Sequence, residues 1–357
     1  MHPGTPEDAS KRAGRALRLV PVVVAAALVA VVGLVALGIH LRGQRRAQLA
    51  STPAGLETAR APGAEVIPLG APQMAPDIDE SLAKEAVHAI QIGVRWLEQN
   101  QQRPGGLADK IGARWPGQRD EDVGHWSDPS FPAMTGLAIS AILRGQRVLG
   151  GGMYSPAASR GLRFITSCVQ EDGGIYRHVE GIKGGGLPNY NTAICVLALV
   201  DTGGAAETPM VREARAFLGR GQHRGDDVFR GGMGYDADTN REYADVANTY
   251  FALEALRRTE PGGAKQKRSD VDWGAAVEFL SRCQHLGDFN DAAWVRDTPD
   301  EAGGFAYNPV STKVEVEGQE FGPDTVLPAY GSATYAGISS YLNAGLDPDS
   351  PQVEAAL

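Results

Sequence analysis

The chain has little cysteine. Cys168, Cys195 and Cys283 are spread over 357 positions, an odd number with no CxxC spacing. No disulfide framework and no paired-thiolate zinc motif can be read from them. Positive charge is also in deficit, with 34 Lys and Arg against 43 Asp and Glu and a formal net charge of -9. Phosphate backbones are held by a clustered positive field, so nucleic acid is not an expected partner. The seven histidines, among them His125, His178, His223 and His285, never fall four residues apart, the spacing that puts two imidazoles on one helix face. The glycine triplets Gly150 to Gly152 and Gly184 to Gly186 lack the Lys-Ser/Thr of a phosphate loop and read as turns. No metal and no cofactor is expected.

Long apolar runs are limited to one. From Leu19 to Ile39 every residue is apolar or small, enough to cross a hydrocarbon core as a helix. The stretch is long for a cleaved signal peptide, Arg42, Arg45 and Arg46 follow it, and no A-x-A site closes it. The expected organisation is an N-terminal flank at 1–18, a single transmembrane anchor at 19–41 and a linker at 42–78. Lys11, Arg12, Arg15 and Arg18 before the span outnumber the arginines after it by one, a balance that puts the domain on the exoplasmic or periplasmic side. Pro53, Pro62, Pro68, Pro72 and Pro76, among alanines and glycines, make the linker a semi-extended tether.

The remainder, 79–357, repeats one pattern four times. Aromatic-aliphatic pairs Trp96-Leu97, Phe164-Ile165, Phe217-Leu218 and Phe279-Leu280 each end an expected helix. Gln101, Gln170, Gln222 and Gln284 follow, then Gly-Gly at 105, 173, 231 and 303, with an aromatic after three of them. A second helix then registers on a threonine: Thr135, Thr192, Thr249 or Thr334. Apolar residues recur at helical spacing in the first helix, as in Val87, Ile90, Val94 and Leu97, so one face meets water. The second helix is apolar nearly all round, most plainly from Thr192 to Val200, and is expected to be buried. Such hairpins form two layers and are stable only when stacked on neighbours. Outer helices open as SPAASRGLRF from Ser155, TPMVREARAF from Thr208 and DVDWGAAVEF from Asp270, with a capping residue ahead of the first turn. SPQVEAAL from Ser350 to Leu357 spells that opening again. The expectation is a chain that stops inside a repeat, as a fragment or with a partner chain completing it; a frayed terminal helix is the alternative.

This unit, carried by QEDGGIY at 170–176, GGMGY at 231–235 and GGFAYNP at 303–309, resembles the prenyltransferase and squalene-oxidase repeat of terpenoid cyclases and protein prenyltransferase β-subunits, and within that family its membrane-anchored bacterial members. The resemblance spans about residues 80 to 357 and concerns fold more than reaction. It implies an all-α chain, an α/α toroid, complete or not, with inner helices around an apolar centre. The cyclases' D-x-D-D acid motif is missing, and the nearest carboxylates, Asp120-Glu121-Asp122, Asp226-Asp227 and Asp297 to Asp300, fall in polar loops. The prenyltransferases' D-x-C zinc pair is missing too, and Cys195 has apolar neighbours.

Polar and aromatic residues cluster where the inner helices open: His125 and Trp126, Tyr190 and Asn191, Asp245 and Asn248, Tyr330. Helix N-termini present unpaired N–H groups to a ligand's polar head. The alternative is capping by Asn191, Asn248 and Ser332. Three functions stay open: binding of an apolar, isoprenoid-like or peptide ligand; a cyclase-like or transferase-like enzyme with an unrecognised acid; and a scaffold docking a protein partner.

Overall fold

The structure is a computed structural model. It describes residues 80–101, 131–151, 155–178, 186–203, 208–236, 243–261, 271–315 and 325–357. The expected anchor at 19–41, the linker at 42–78, and His125 and Trp126 lie outside them. No helix among the described residues is long and apolar enough to cross a membrane.

Nine helices are seen among the described residues: α1 (Glu80–Asn100), α2 (Pro132–Val148), α3 (Pro156–Thr166), α4 (Pro188–Asp201), α5 (Pro209–Arg220), α6 (Val246–Arg258), α7 (Trp273–Ser281), α8 (Gly331–Ala344) and α9 (Pro351–Ala355). Extended pairing there is limited to isolated antiparallel bridges, so the fold is all-α. The chain divides into two compact units, one of Met1–Gln102 with Leu137–Ser159 and one of Arg103–Gly136 with Arg160–Leu357.

In the first unit, Val94 and Leu97 of α1 are buried, as are Ile139 and Ile142 of α2. Gly145 admits Val94 closely, since an added Cβ would lie 2.6 Å from Val94 Cγ2. Trp96 departs from the pattern. It is 37% exposed, whereas Phe164, Phe217 and Phe279 are buried, so only Leu97 of the first pair faces the core.

In the second unit α4 packs on α6 and α6 on α8, while α5 lies against α4 and α6, and α7 against α8. Helix α4 is buried from Asn191 through Leu199, as its all-round apolar sequence requires. Three outer helices open on a side-chain cap: Ser155 accepts from Ala158 N, Thr208 from Val211 N and Asp272 from Ala275 N. Ser350, ahead of α9, makes no such bond.

Hydrogen bonds explain the register. Thr192, Thr249 and Thr334 each turn a hydroxyl oxygen to the backbone N–H of Ile175, Met233 and Phe305, the residue after each Gly-Gly. Gln222 Nε2 donates to the carbonyls of Gly231 and Asp272, and Gln284 Nε2 to those of Gly303 and Gln352. Each glutamine thus ties its own loop to the next outer helix. Gln170 does not share that register. It is exposed and donates to Cys168 and Tyr176, while Val169, bridged to Ile175, takes the slot where Gln222 bridges Met233 and Gln284 bridges Phe305. The extra residue before Gln170 displaced the side chain, whose amide closes its own loop and not the seam to the next outer helix.

The C-terminal ends of α4, α6 and α8 are held by arginines. Arg215 donates to the Leu256 carbonyl, Arg258 pairs with Asp201 at 2.6 Å, and Arg257 Nε donates to the Asn343 carbonyl at 2.6 Å. Cations against the last carbonyls offset the negative end of the helix dipole. The N-terminal ends carry a different chemistry.

Candidate functional site

Asp245 precedes α6 in extended backbone (φ -144°, ψ 163°) and is fully buried. Its Oδ1 accepts from Asn248 N at 2.8 Å, the N-cap bond. Oδ2 meets Asn248 Nδ2 at 2.6 Å, Tyr243 Oη at 2.8 Å and Tyr307 Oη at 2.9 Å. Tyr243 reaches it from two residues upstream. Tyr307 arrives from the GGFAYNP loop, which Val246 N holds by donating to the Tyr307 carbonyl at 3.0 Å. Tyr243 and Tyr307 hydroxyls lie 2.7 Å apart, and Tyr235 and Tyr307 hydroxyls 3.2 Å apart.

Four oxygen–oxygen contacts therefore join Asp245 Oδ2 and three phenols, and each needs a proton. The phenols supply three. A protonated Asp245 supplies the fourth, and burial pushes its pKa in that direction, above the ordinary 3.8, against the lowering pull of Asn248, Tyr243 and Tyr307. The carboxyl is best satisfied as a neutral acid sharing its proton with the tyrosines.

An aromatic layer surrounds this network. Tyr235 stacks on Tyr243 (centroids 5.9 Å, 14°), and Tyr190 sits 6.2 Å from Tyr235 and edge-on to Phe251 at 5.5 Å. Burial, then the Asp245 and Tyr235 charges, lift Tyr330 to about 12. Burial, then Tyr235 and Asp245, lift Tyr190 to about 12. Tyr243 and Tyr307 are held well above the usual 10 by burial first and by Asp245 second. All four remain neutral donors through the physiological range. Because these folded values exceed the unfolded 10, their stabilisation is complete below pH 10 and is lost as pH climbs towards 12 and beyond. In an alkaline titration, phenolate absorbance from these residues and loss of helical circular dichroism are expected to rise together in that window. Ionisation of all tyrosines near pH 10 with the helices intact contradicts this.

Of the residues singled out from the sequence, Tyr190, Asp245, Asn248 and Tyr330 come together. Asn191 does not join them. It is buried, accepting from Ala133 N at 2.7 Å and donating to the Gly186 and Leu187 carbonyls, and so staples the start of α2 to the start of α4. The expected caps are also corrected. Helices α4, α6 and α8 are preceded by Leu187, Asp245 and Tyr330, not by Asn191, Asn248 and Ser332, and Ser332 is exposed. Asp226 and the Asp297–Asp300 carboxylates are exposed, and Asp227 receives His223 Nε2 at 2.7 Å. Cys168, Cys195 and Cys283 are buried thiols outside any disulfide, the last two pushed up by burial, as packing residues are.

Sequence reasoning missed Tyr235, Tyr243 and Tyr307 as site residues. The signal existed: Tyr235 and Tyr307 stand four residues after Gly231 and Gly303, one repeat position used twice. Tyr176, aligned with them by eye, falls one place earlier. Compared with models of known protein families the chain matches none, and no curated protein matches its sequence.

Proposed function

We propose that this chain is a membrane-tethered repeat protein of the prenyltransferase and squalene-oxidase type that binds a ligand with an apolar, isoprenoid-like body at the tyrosine-rich end of α4, α6 and α8. On this reading the hairpins close, wholly or in part, into an α/α toroid. The anchor at 19–41 holds it on the exoplasmic or periplasmic face.

The observation that carries the proposal is the convergence of half-buried rings, Tyr190, Tyr235, Tyr330 and Phe251, around one fully buried carboxyl. Packing needs alone are met by aliphatic residues, as in the rest of α4; partly open phenols beside a polar network supply both an apolar wall and a polar end for a ligand. Tyr190→Ala in the full-length protein is expected to weaken polyprenol binding at least about tenfold, the worth of one ring's apolar contact. An unchanged affinity rejects the site.

A second reading, acid-base chemistry on a polyprenyl substrate, is favoured by the hydroxyl chain from Asp245 through Tyr307 to the partly exposed Tyr235. A buried acid with a relay to its surface can return a proton after each turnover. Turnover of a polyprenyl panel by the full-length protein tests it, and absence of product across the panel rejects it.

A further inference from the structure

Three features of the Asp245 corner are left unexplained by an apolar ligand alone. The first is an unmet acceptor. Asn248 is 2% exposed, and its Oδ1 has no hydrogen-bond partner. Its Nδ2 is committed to Asp245 Oδ2 at 2.6 Å, so the amide oxygen is held in the same buried corner beside the carboxyl. A buried carbonyl without a donor costs about 1–3 kcal/mol, and this one sits at the ligand end of α6.

The second feature is that the proton is the only positive partner of the carboxyl. Among the described residues no Lys, Arg or His lies within ion-pair distance of Asp245, although Asp201, Asp227, Glu254, Glu260 and Glu301 all have one. The third is that the molecule already sets a cation on the cluster. The ammonium of Lys313, an exposed residue, lies 4.2 Å from the centre of the Tyr307 ring. Ring faces carry the negative lobe of the aromatic quadrupole and attract cations.

We infer that the polar head of the ligand is a primary ammonium. This rests on the apolar-ligand reading above and names the chemistry of its head. Its N–H groups satisfy Asn248 Oδ1 and Asp245, its charge replaces the shared carboxyl proton as the positive partner, and its alkyl chain runs along Tyr190 and Phe251. Other heads fit less of the corner. An anion meets the negative phenol faces and the lone pairs of Asn248 Oδ1 with the wrong sign. An alcohol brings a donor but no charge, and a quaternary ammonium brings charge but no donor. Lys313 acts as a tethered competitor for the Tyr307 face.

The test is calorimetric titration of the purified full-length protein in detergent, against an empty-micelle control, with four ten-carbon probes: decylamine, decanol, decyltrimethylammonium and decanoate at pH 7. Decylamine, protonated there, is expected to bind at least tenfold tighter than each of the others. Asn248→Leu is expected to abolish that preference. Lys313→Ala, a change at an exposed position that leaves the fold intact, is expected to tighten decylamine severalfold and leave decanol unchanged. Equal binding of decylamine and decanol, or preference for decanoate, overturns the ammonium head while leaving the apolar site standing. Failure of every decyl probe removes both. An unaltered decylamine affinity in Lys313→Ala overturns the competition between Lys313 and the ammonium head.

Discussion

Replacing Asp245 by alanine is expected to lower the unfolding free energy by about 3–5 kcal/mol, while Asp245→Asn costs only about 1 kcal/mol. Alanine removes the N-cap acceptor of α6, leaves Asn248 Nδ2 without its partner, and leaves Tyr243 and Tyr307 bonded only to other phenols in a buried corner. Asparagine keeps the cap through its oxygen. Its NH₂ then takes the place of the protonated Oδ2, donating to Tyr243 and Tyr307. With both amide hydrogens used there, the contact to Asn248 Nδ2 is the one that is lost. The difference between the two variants depends on Asp245 being a neutral acid. It also depends on pH. A carboxyl whose folded pKa is raised above 3.8 contributes stability that is complete below pH 3.8 and is lost as pH rises through the folded value. Asparagine does not titrate, so the advantage of the wild type over Asp245→Asn is widest in acid and shrinks as pH rises. Urea unfolding followed by circular dichroism across pH measures it. An advantage that grows with pH means that the four contacts hold a carboxylate, and the proton count is wrong.

The hairpin pattern was legible because it rests on spacing. A threonine hydroxyl that must meet a backbone N–H just past a Gly-Gly turn fixes Thr192, Thr249 and Thr334 at one position of α4, α6 and α8, and a substitution there leaves a buried N–H unpaired. Periodicity likewise marked α5, whose charged residues Arg212 and Glu213 are exposed and whose Phe217 and Leu218 are buried. Where spacing slipped by one residue, as at Gln170, residue identity misled: an amide one place late bonds Cys168 and Tyr176 of its own loop and does not reach the next outer helix. Trp96 misled for a related reason, since an aromatic at a repeat position reads as core until its neighbours are known.

The site was half legible. Asp245, Asn248, Tyr190 and Tyr330 sit at helix openings, which sequence marks by the change from polar loop to apolar run. Tyr243 and Tyr307 reach the same carboxyl from an extended segment and from the next repeat's loop, and their meeting is set by the stacking of α6 on α8. Contacts between repeats have no local sequence mark. What the sequence could have offered was the shared register of Tyr235 and Tyr307, and the alternation that puts Tyr243 and Asp245 on one side of an extended strand.

Gly231→Ala is expected to destabilise the second unit by on the order of 4 kcal/mol, a penalty set by two effects. Gly231 has φ +92°, where an alanine is strained by about 1–2 kcal/mol. Its new Cβ would also fall 1.9 Å from the carbonyl oxygen of Ala275 in α7, and neither backbone can yield without moving α7 off its seat. Gly203 isolates the first effect: its φ is +89° and nothing lies within 4 Å, so Gly203→Ala is expected to cost only the strain. Of the other repeat glycines, Gly173 ranks between, its Cβ 2.9 Å from the Glu213 carbonyl oxygen, while Gly303, 1.7 Å from that of Ala355, is as tight as Gly231. Urea midpoints should therefore fall in the order Gly203→Ala, Gly173→Ala, then Gly231→Ala and Gly303→Ala together. Equal losses at Gly203 and Gly231 show that α7 can shift freely, and that the close seam between a glycine loop and the following outer helix is not what sets the spacing of the repeats.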